Sequence, residues 1–408
     1  MTLRLGAFMW QRVKDAPRGV PRPVLATAFA TFVAFMGIGV VDPLLPLIGK
    51  QMGATPFQVE WLFTSYISVM ALTMLVSGFL ATRLGSKRTL SLGLGLVVIF
   101  ATASGLAPNI PVFAVIRGGW GLGNALFTST ALSIIVGVSS GGVVRAITLY
   151  EAALGLGIAS GPLLGGALGA YSWRYPFFAT ATLMALGLIT TVLSVQEPPN
   201  KETRRTLKQV VGALRNNRVA TNALVALTYS YAFFTVLAYS PLTLKGLTTI
   251  QLGFTYFLWG VLVAVSSVFF APRVAQRLTP VSTLRAALIT LILIFLGLSA
   301  TGGETLLALV VLTGFPCGVA NALFTTLAIR VSPYTRSISS ASYNLLRWSG
   351  AAIAPILSGL IGQTYGYNKP FIVAAGILVF GVIYISIRAK LLLTALSEKN
   401  GEGESEHE

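Results

Sequence analysis

The chain alternates between long uncharged runs and short, mostly basic connections. Twelve runs of 18 or more residues hold no Asp, Glu, Lys or Arg: 23–41, 61–82, 89–116, 118–144, 152–173, 175–196, 219–244, 246–272, 286–303, 305–329, 348–368 and 370–387. A helix needs roughly 20 mostly apolar residues to cross a bilayer. The pattern therefore predicts an all-α membrane protein with twelve transmembrane helices. The eleventh is expected to start near Ser339 and to enclose Arg347.

Composition sharpens this. Of 408 residues, 54% are hydrophobic and only 10% charged, against about 25% charged in a typical soluble domain. So few charges cannot cover a water-soluble fold, which excludes a soluble enzyme, a disordered regulator and a secreted disulfide scaffold. The single cysteine, Cys317, leaves no disulfide framework or thiolate metal site. The single histidine, His407, lies in the tail, so proton chemistry inside the spans falls to carboxylates. The chain has no His/Cys metal cluster, phosphate loop or Gly-x-Ser-x-Gly elbow, so neither an enzyme nor a cofactor is expected.

The net charge of +17 raises the question of nucleic acid. Its placement answers it. With both termini on the cytoplasmic side, 23 of the 29 Lys and Arg fall in cytoplasmic segments, four (Lys50, Arg174, Lys245, Lys369) on the opposite side, and two (Arg117, Arg347) within spans. That asymmetry follows the positive-inside rule, and it makes the lipid bilayer of a cell membrane, not nucleic acid, the partner of the basic residues.

Five segments follow. Residues 1–22 form a cytoplasmic N-terminal segment whose apolar positions suit a short interfacial helix. Six spans occupy 23–196. Residues 197–218 are a basic linker, six more spans fill 219–390, and 391–408 form an acidic, glycine-containing tail expected to be disordered. The halves repeat. Asn124-Ala125-Leu126-Phe127-Thr128 recurs as Asn321-Ala322-Leu323-Phe324-Thr325, and Gly157, Pro162 and Gly166 recur as Gly350, Pro355 and Gly359. Parallel duplication places a substrate site between the halves near the bilayer midplane.

Four stretches carry a resemblance. Gly78-Phe79-Leu80-Ala81-Thr82-Arg83-Leu84-Gly85-Ser86-Lys87-Arg88 lies between spans 2 and 3, and Arg117-Gly118-Gly119-Trp120-Gly121 in span 4. Gly157-Ile158-Ala159-Ser160-Gly161-Pro162-Leu163-Leu164-Gly165-Gly166 lies in span 5, and Gly39-Val40-Val41-Asp42-Pro43-Leu44-Leu45-Pro46 in span 1. These resemble signatures of the major facilitator superfamily, in particular its 12-span drug:proton antiporters. The resemblance implies two pseudo-symmetric six-helix bundles rocking about a central cavity, with Gly78, Thr82, Arg83 and Gly85 in gating and Gly157, Gly161, Pro162 and Gly165 in packing. The family's loop signature has an acid where this chain has Thr82 and a base where it has Ser86, and span 4 has Trp120 where a polar residue is usual.

Charge inside a bilayer costs roughly 2.5–3.5 kcal/mol per residue on insertion scales, so intramembrane ions are the candidates for chemistry. Asp42 in span 1 and Arg117 in span 4 lie at similar depth. They read either as a proton-coupling pair or as a structural salt bridge. Glu151 in span 5 reads as a proton or cationic-substrate site, or as half of a gate salt bridge, with Arg347 its expected partner. Its repeat mate is Asn344, so the duplicated packing does not demand the acid. Glu60 and Glu304 are placed at span ends. Arg117, Gly121, Asn124 and Thr128 form one small, polar stripe, echoed by Gly314, Gly318, Asn321 and Thr325. Asn124 and Asn321 read as cavity contacts or as interhelical hydrogen bonds. Tyr229 and Phe233 share a face, and with Tyr150 and Tyr343 they read as an aromatic cavity or as residues of an interface belt.

The function expected from these residues is proton-coupled export of lipophilic or cationic small molecules by a monomer. A lipid or glycolipid-headgroup flippase and a metabolite transporter of the same fold are the alternatives.

Overall fold

The computed structural model describes residues 22–138, 143–197, 207–334 and 336–405, without the side chains of 78, 79, 82, 132, 133, 136–138, 143–149, 151, 152, 207, 336, 337 and 399–405. The N-terminal segment expected as an interfacial helix lies outside the described residues. Twelve membrane helices follow the predicted runs: α1 (Arg22–Met52), α2 (Pro56–Leu84), α3 (Ser86–Gly105), α4 (Ile110–Val138), α5 (Val143–Gly169), α6 (Tyr175–Ser194), α7 (Asn217–Leu242), α8 (Thr249–Arg277), α9 (Pro280–Ala300), α10 (Gly303–Arg330), α11 (Arg336–Tyr365) and α12 (Lys369–Ile387). Eleven are long and apolar enough to cross a bilayer on their described residues, and α5 contributes an apolar stretch at Ala153–Gly169. With twelve crossings, both ends of the chain emerge on one side of the bundle, called here the terminal side; the other is the far side.

Span ends were the weakest part of the charge-free reading. The first run stops at Val41, yet α1 continues to Met52. Asp42 interrupts the run but is itself buried, so the helix carries it inward instead of ending on it. The interruption shows as a kink: Pro43 has no N–H to give, and Asp42–Leu44 tightens into a 3-10 turn before Leu45–Met52 resumes.

The halves mirror each other pair by pair. In the first half α1 packs on α5 and α6, α4 on α2 and α3, and α3 on α6; in the second, α7 packs on α11 and α12, α10 on α8 and α9, and α9 on α12. The same local chemistry starts α2 and α8. Thr55 and Thr248 each accept from the N–H of a Gln three residues on, and Gln58 and Gln251 each return a bond to the threonine N–H. Each box closes two helix-end donors that would otherwise be bare in the membrane. Outward positions are apolar, with Leu193 80% and Ile387 72% exposed. In lipid such a belt carries no penalty.

Small residues bring the helices together. A Cβ on Gly157, Gly161 or Gly165 would overlap the carbonyl oxygens of Phe32, Met36 and Val40 in turn, so this face of α5 lies backbone to backbone on α1. Two of the four far-side cations have local work there. Arg174 donates to the end carbonyls of α3, Gly105 at 2.6 Å and Ala107 at 3.5 Å, and Lys245 sits 4.1 Å from the centre of the Tyr367 ring.

The tail departs from expectation. Ala389–Ser405 is helical, because Leu392, Ala395 and Leu396 bury an apolar face and Arg218 grips Glu398 through two bonds of 2.7 and 3.0 Å. The bond from Arg218 holds the Glu398 carboxyl below its ordinary range. The tether is therefore present at neutral pH and is lost as pH falls through that lowered value.

Candidate functional site

The two halves meet along two far-side seams, which are pseudo-symmetric mates. In the first, α5 meets α8: Gly166 lies against Gly253, the Pro162 carbonyl faces Gly253, and Ala159 faces Gly260. In the second, α2 meets α11. A Cβ at Gly359 would come within 2.9 Å of the Glu60 Cγ, 3.0 Å of the Phe57 Cα and 3.2 Å of the Pro56 carbonyl. The kink of α1 also touches α8. These contacts close the far side.

Behind this closure lie three ionisable groups with no exposed surface: Asp42 on the α1 kink, Glu60 near the start of α2 and Arg117 on α4. Sequence placed Glu60 at a span end. The capped start at Thr55 and the close cover of Gly359 put it inside instead. Among the described residues, neither carboxyl has a hydrogen-bond partner on another residue, and the two terminal nitrogens of Arg117 have none. The Arg117 Nε reaches the Leu62 carbonyl at 3.5 Å, and its guanidinium lies 4.5 Å from the Tyr66 ring and 4.7 Å from the Trp120 ring. Trp120, where the family usually has a polar residue, is thus one wall of the arginine's aromatic slot. Asp42 and Arg117 are close enough for each to feel the other's charge. They form no ion pair; the salt bridge among the described residues is the distant Arg218–Glu398. In the second half, Tyr256 and Tyr239 are buried with their hydroxyls engaged, Tyr256 sharing a 2.5 Å bond with Ser240 and Tyr239 donating to the Tyr367 carbonyl at 3.0 Å.

The remaining candidates separate. Asn124 acts as a brace, its amide donating to the Ala34 carbonyl at 3.2 Å and to the Tyr66 hydroxyl, which joins α4 to α1 and α2. Its repeat mate Asn321 is half-buried and accepts from Arg347 at 2.8 Å. Arg347, expected opposite Glu151, therefore has a partner of its own on α10; the Glu151 side chain lies outside the described residues. Asn344 is half-buried and reaches Ser340 at 3.4 Å. Tyr229 is fully buried and donates to the Cys317 carbonyl at 2.8 Å, its ring set at a tilt against Phe233 and Phe324. Tyr150 and Tyr343 are buried, the Tyr343 hydroxyl without a partner. These aromatics line the interior rather than a lipid interface. Trp259, on α8, closes the set by stacking 5.1 Å from Phe233.

At the α2–α3 loop, the side chains of Gly78 and Thr82 lie outside the described residues, and Arg83 is exposed. Gly85 has a φ of +91°, which favours glycine, and a Cβ there would crowd the Glu197 carboxylate. Glu197, just past the end of α6, accepts from the N–H groups of Ser86 at 2.5 Å and Lys87 at 2.9 Å. The start of α3 is thereby capped by an acid from the segment that follows α6. No reading of the loop alone could have found it, since 110 residues separate the partners. Glu197→Ala is expected to cost about 1 kcal/mol, read as a lower melting temperature of the detergent-solubilised protein. An unchanged melting curve would show that the cap does not matter.

A bundle of twelve apolar helices in two mirrored halves, sealed on one side over buried ions, defines a membrane transporter and not an enzyme. The sequence profile of the Major Facilitator Superfamily matches residues 27–355, and the chain belongs to that family. It is 41% identical over 374 residues to the Multidrug efflux protein YfmO of Bacillus subtilis (strain 168), covering 91% of this chain and 94% of that one. It is 26% identical over 400 residues to the Multidrug resistance protein MdtG of Escherichia coli (strain 55989 / EAEC), covering 91% and 95%. Among solved structures, a bacterial homolog of the human lysosomal transporter Spinster, in an inward-facing and unoccupied conformation, superposes with a TM-score of 0.73 at 16% identity, over 92% of this chain and 96% of that one. The substrate of this chain, as a transporter of that family, is a small molecule.

Proposed function

We propose that this transporter exports lipophilic or cationic small molecules from the cytoplasm in exchange for protons. It works as a monomer in the plasma membrane, with both termini cytoplasmic. The observation that carries the reading is Asp42: a carboxyl with no exposed surface, on a kinked helix, facing Arg117 without touching it. An isolated carboxylate there is costly. The group is stable with a proton bound, or with Arg117 brought into contact. A rocking motion that exchanges these two states carries a proton across. The name of the relative at 41% identity supports drug-like cargo, as does the aromatic interior of Tyr229, Phe233, Trp259 and Tyr343. Glu151 is proposed as the second carrier toward the terminal side.

The test is efflux of a cationic dye such as ethidium from proteoliposomes, driven by an imposed pH gradient. Asp42→Asn and Glu151→Gln are expected to abolish gradient-driven efflux while dye binding in detergent stays measurable. Unchanged efflux in both variants would remove the mechanism.

A further inference from the structure

The proton reading leaves Glu60 without a role, and its surroundings supply one. A glutamate in the first turns of a helix ordinarily reaches water or a free helix N–H. Glu60 does neither: it has no exposed surface, and neither oxygen has a partner among the described residues. Asp42 on the α1 kink is likewise buried, without a partner on another residue among those described, and it feels the charge of Glu60, so the two carboxyls lie in one apolar region of the first bundle. The groups whose charge or surface bears on them are Arg117 from α4, Tyr239 on α7, whose hydroxyl donates to the Tyr367 carbonyl, Tyr256 on α8, whose hydroxyl is bonded to Ser240, and Gly359, which offers no side chain, from α11. Arg117 is one positive charge against two possible negative ones, and its terminal nitrogens touch neither acid. Two like charges in an apolar site cannot both persist.

We propose that Glu60 is a further proton-carrying carboxyl, beside Asp42 and Glu151, paired with Asp42 behind the α2–α11 seam and opened to far-side water when Gly359 moves off it. In the closed state the pair retains at least one proton as a carboxylic acid. On opening, a carboxylate of the pair, accommodated by Arg117 and solvent, takes one proton from hydronium in far-side water and becomes a carboxylic acid, the inward direction that export in exchange for protons requires. The substrate needs no contact with Glu60. Packing alone does not explain the residue, because a glutamine or leucine would fill the space beneath Gly359 without leaving two bare oxygens.

This inference rests on the proton-coupled reading, and the test separates the two. Full-length protein in lipid is titrated while the infrared absorption of protonated carboxyl groups is followed, and the same vesicles are assayed for gradient-driven ethidium efflux. The wild-type minus Glu60→Gln difference is expected to contain two coupled steps, one from the lost group and one from a displaced Asp42. Glu60→Gln should lose gradient-driven efflux at least about 10-fold while ethidium binding changes less than about twofold, and Glu60→Asp should recover part of the efflux. A difference spectrum with no Asp42 component, or normal efflux in Glu60→Gln, overturns the assignment. Wild-type vesicles without gradient-driven efflux overturn the proton-coupled reading instead. If Glu60→Gln does not fold, Gly359→Ala reads the same site, because its added methyl must push the seam apart. It should speed hydrogen–deuterium exchange at the protonated carboxyls, and unchanged exchange would count against the pair.

Discussion

Gly161→Leu is expected to prevent assembly of the first bundle. A Cβ at this position already overlaps the Met36 carbonyl and lies 3.1 Å from the Gly39 backbone. Backbone cannot rotate out of the way as a side chain can, so α1 and α5 must separate along their length. Overpacking of a core usually costs 1–3 kcal/mol. Here the leucine also lifts Gly157 and Gly165 off their partners, and we expect a loss of about 4 kcal/mol or more, at the exceptional end for one substitution. The measurement is the monodisperse yield on size-exclusion chromatography of a fluorescently tagged protein. Gly376→Ala is the control: nothing lies within 4 Å of its Cβ, so α12 should gain about 0.5–1 kcal/mol from helix propensity. If both variants behave alike, close backbone contact is not what holds α1 to α5.

The second large effect concerns Arg117. Arg117→Met is expected to reduce gradient-driven efflux at least about 100-fold while leaving the protein folded, because methionine fills the aromatic slot between Tyr66 and Trp120 without the charge. Lysine should not restore function, since a compact ammonium cannot lie flat against two rings as a guanidinium does. The decisive measurement is the double-mutant cycle with Asp42→Asn. If the two residues serve one protonation step, the double variant is no worse than either single one, and the coupling exceeds about 1 kcal/mol. Additive losses would mean that they act separately.

How far the sequence reveals this molecule differs from level to level. Twelve spans, their duplication and the small-residue stripes are legible because a bilayer imposes a length and a polarity on every helix. The ends of the spans are less so. A charge was read as a boundary, but Asp42 and Glu60 are held inside by a kink and by a neighbouring glycine that the pattern of one helix does not contain. The site was half legible. Asp42 and Arg117 stood out by their cost in lipid, whereas Glu60 looked like an ordinary interfacial acid. Its burial depends on Gly359, 299 positions away by residue number. The same limit hid Glu197, whose contribution is visible only beside the start of α3. Asn124 and Asn321 carry the same five-residue motif, yet one braces three helices and the other engages Arg347. Repetition in sequence located them without assigning their partners.

The two far-side seams have a consequence for how the molecule moves. At their glycines both bring backbone close to backbone, and those points can part without rotamer changes. Their edges are chemically unequal. The described α5–α8 edge is inert, lined by Gly166, Gly253, Ala159 and Gly260, while its mate carries Glu60 under Gly359. Under the proposed reading an acid stands at the far-side contact of one margin only, while at the other the nearest described acid is Asp42, carried on the α1 kink that touches α8. Duplication supplied two equivalent borders, and their acids now differ in where the chain holds them.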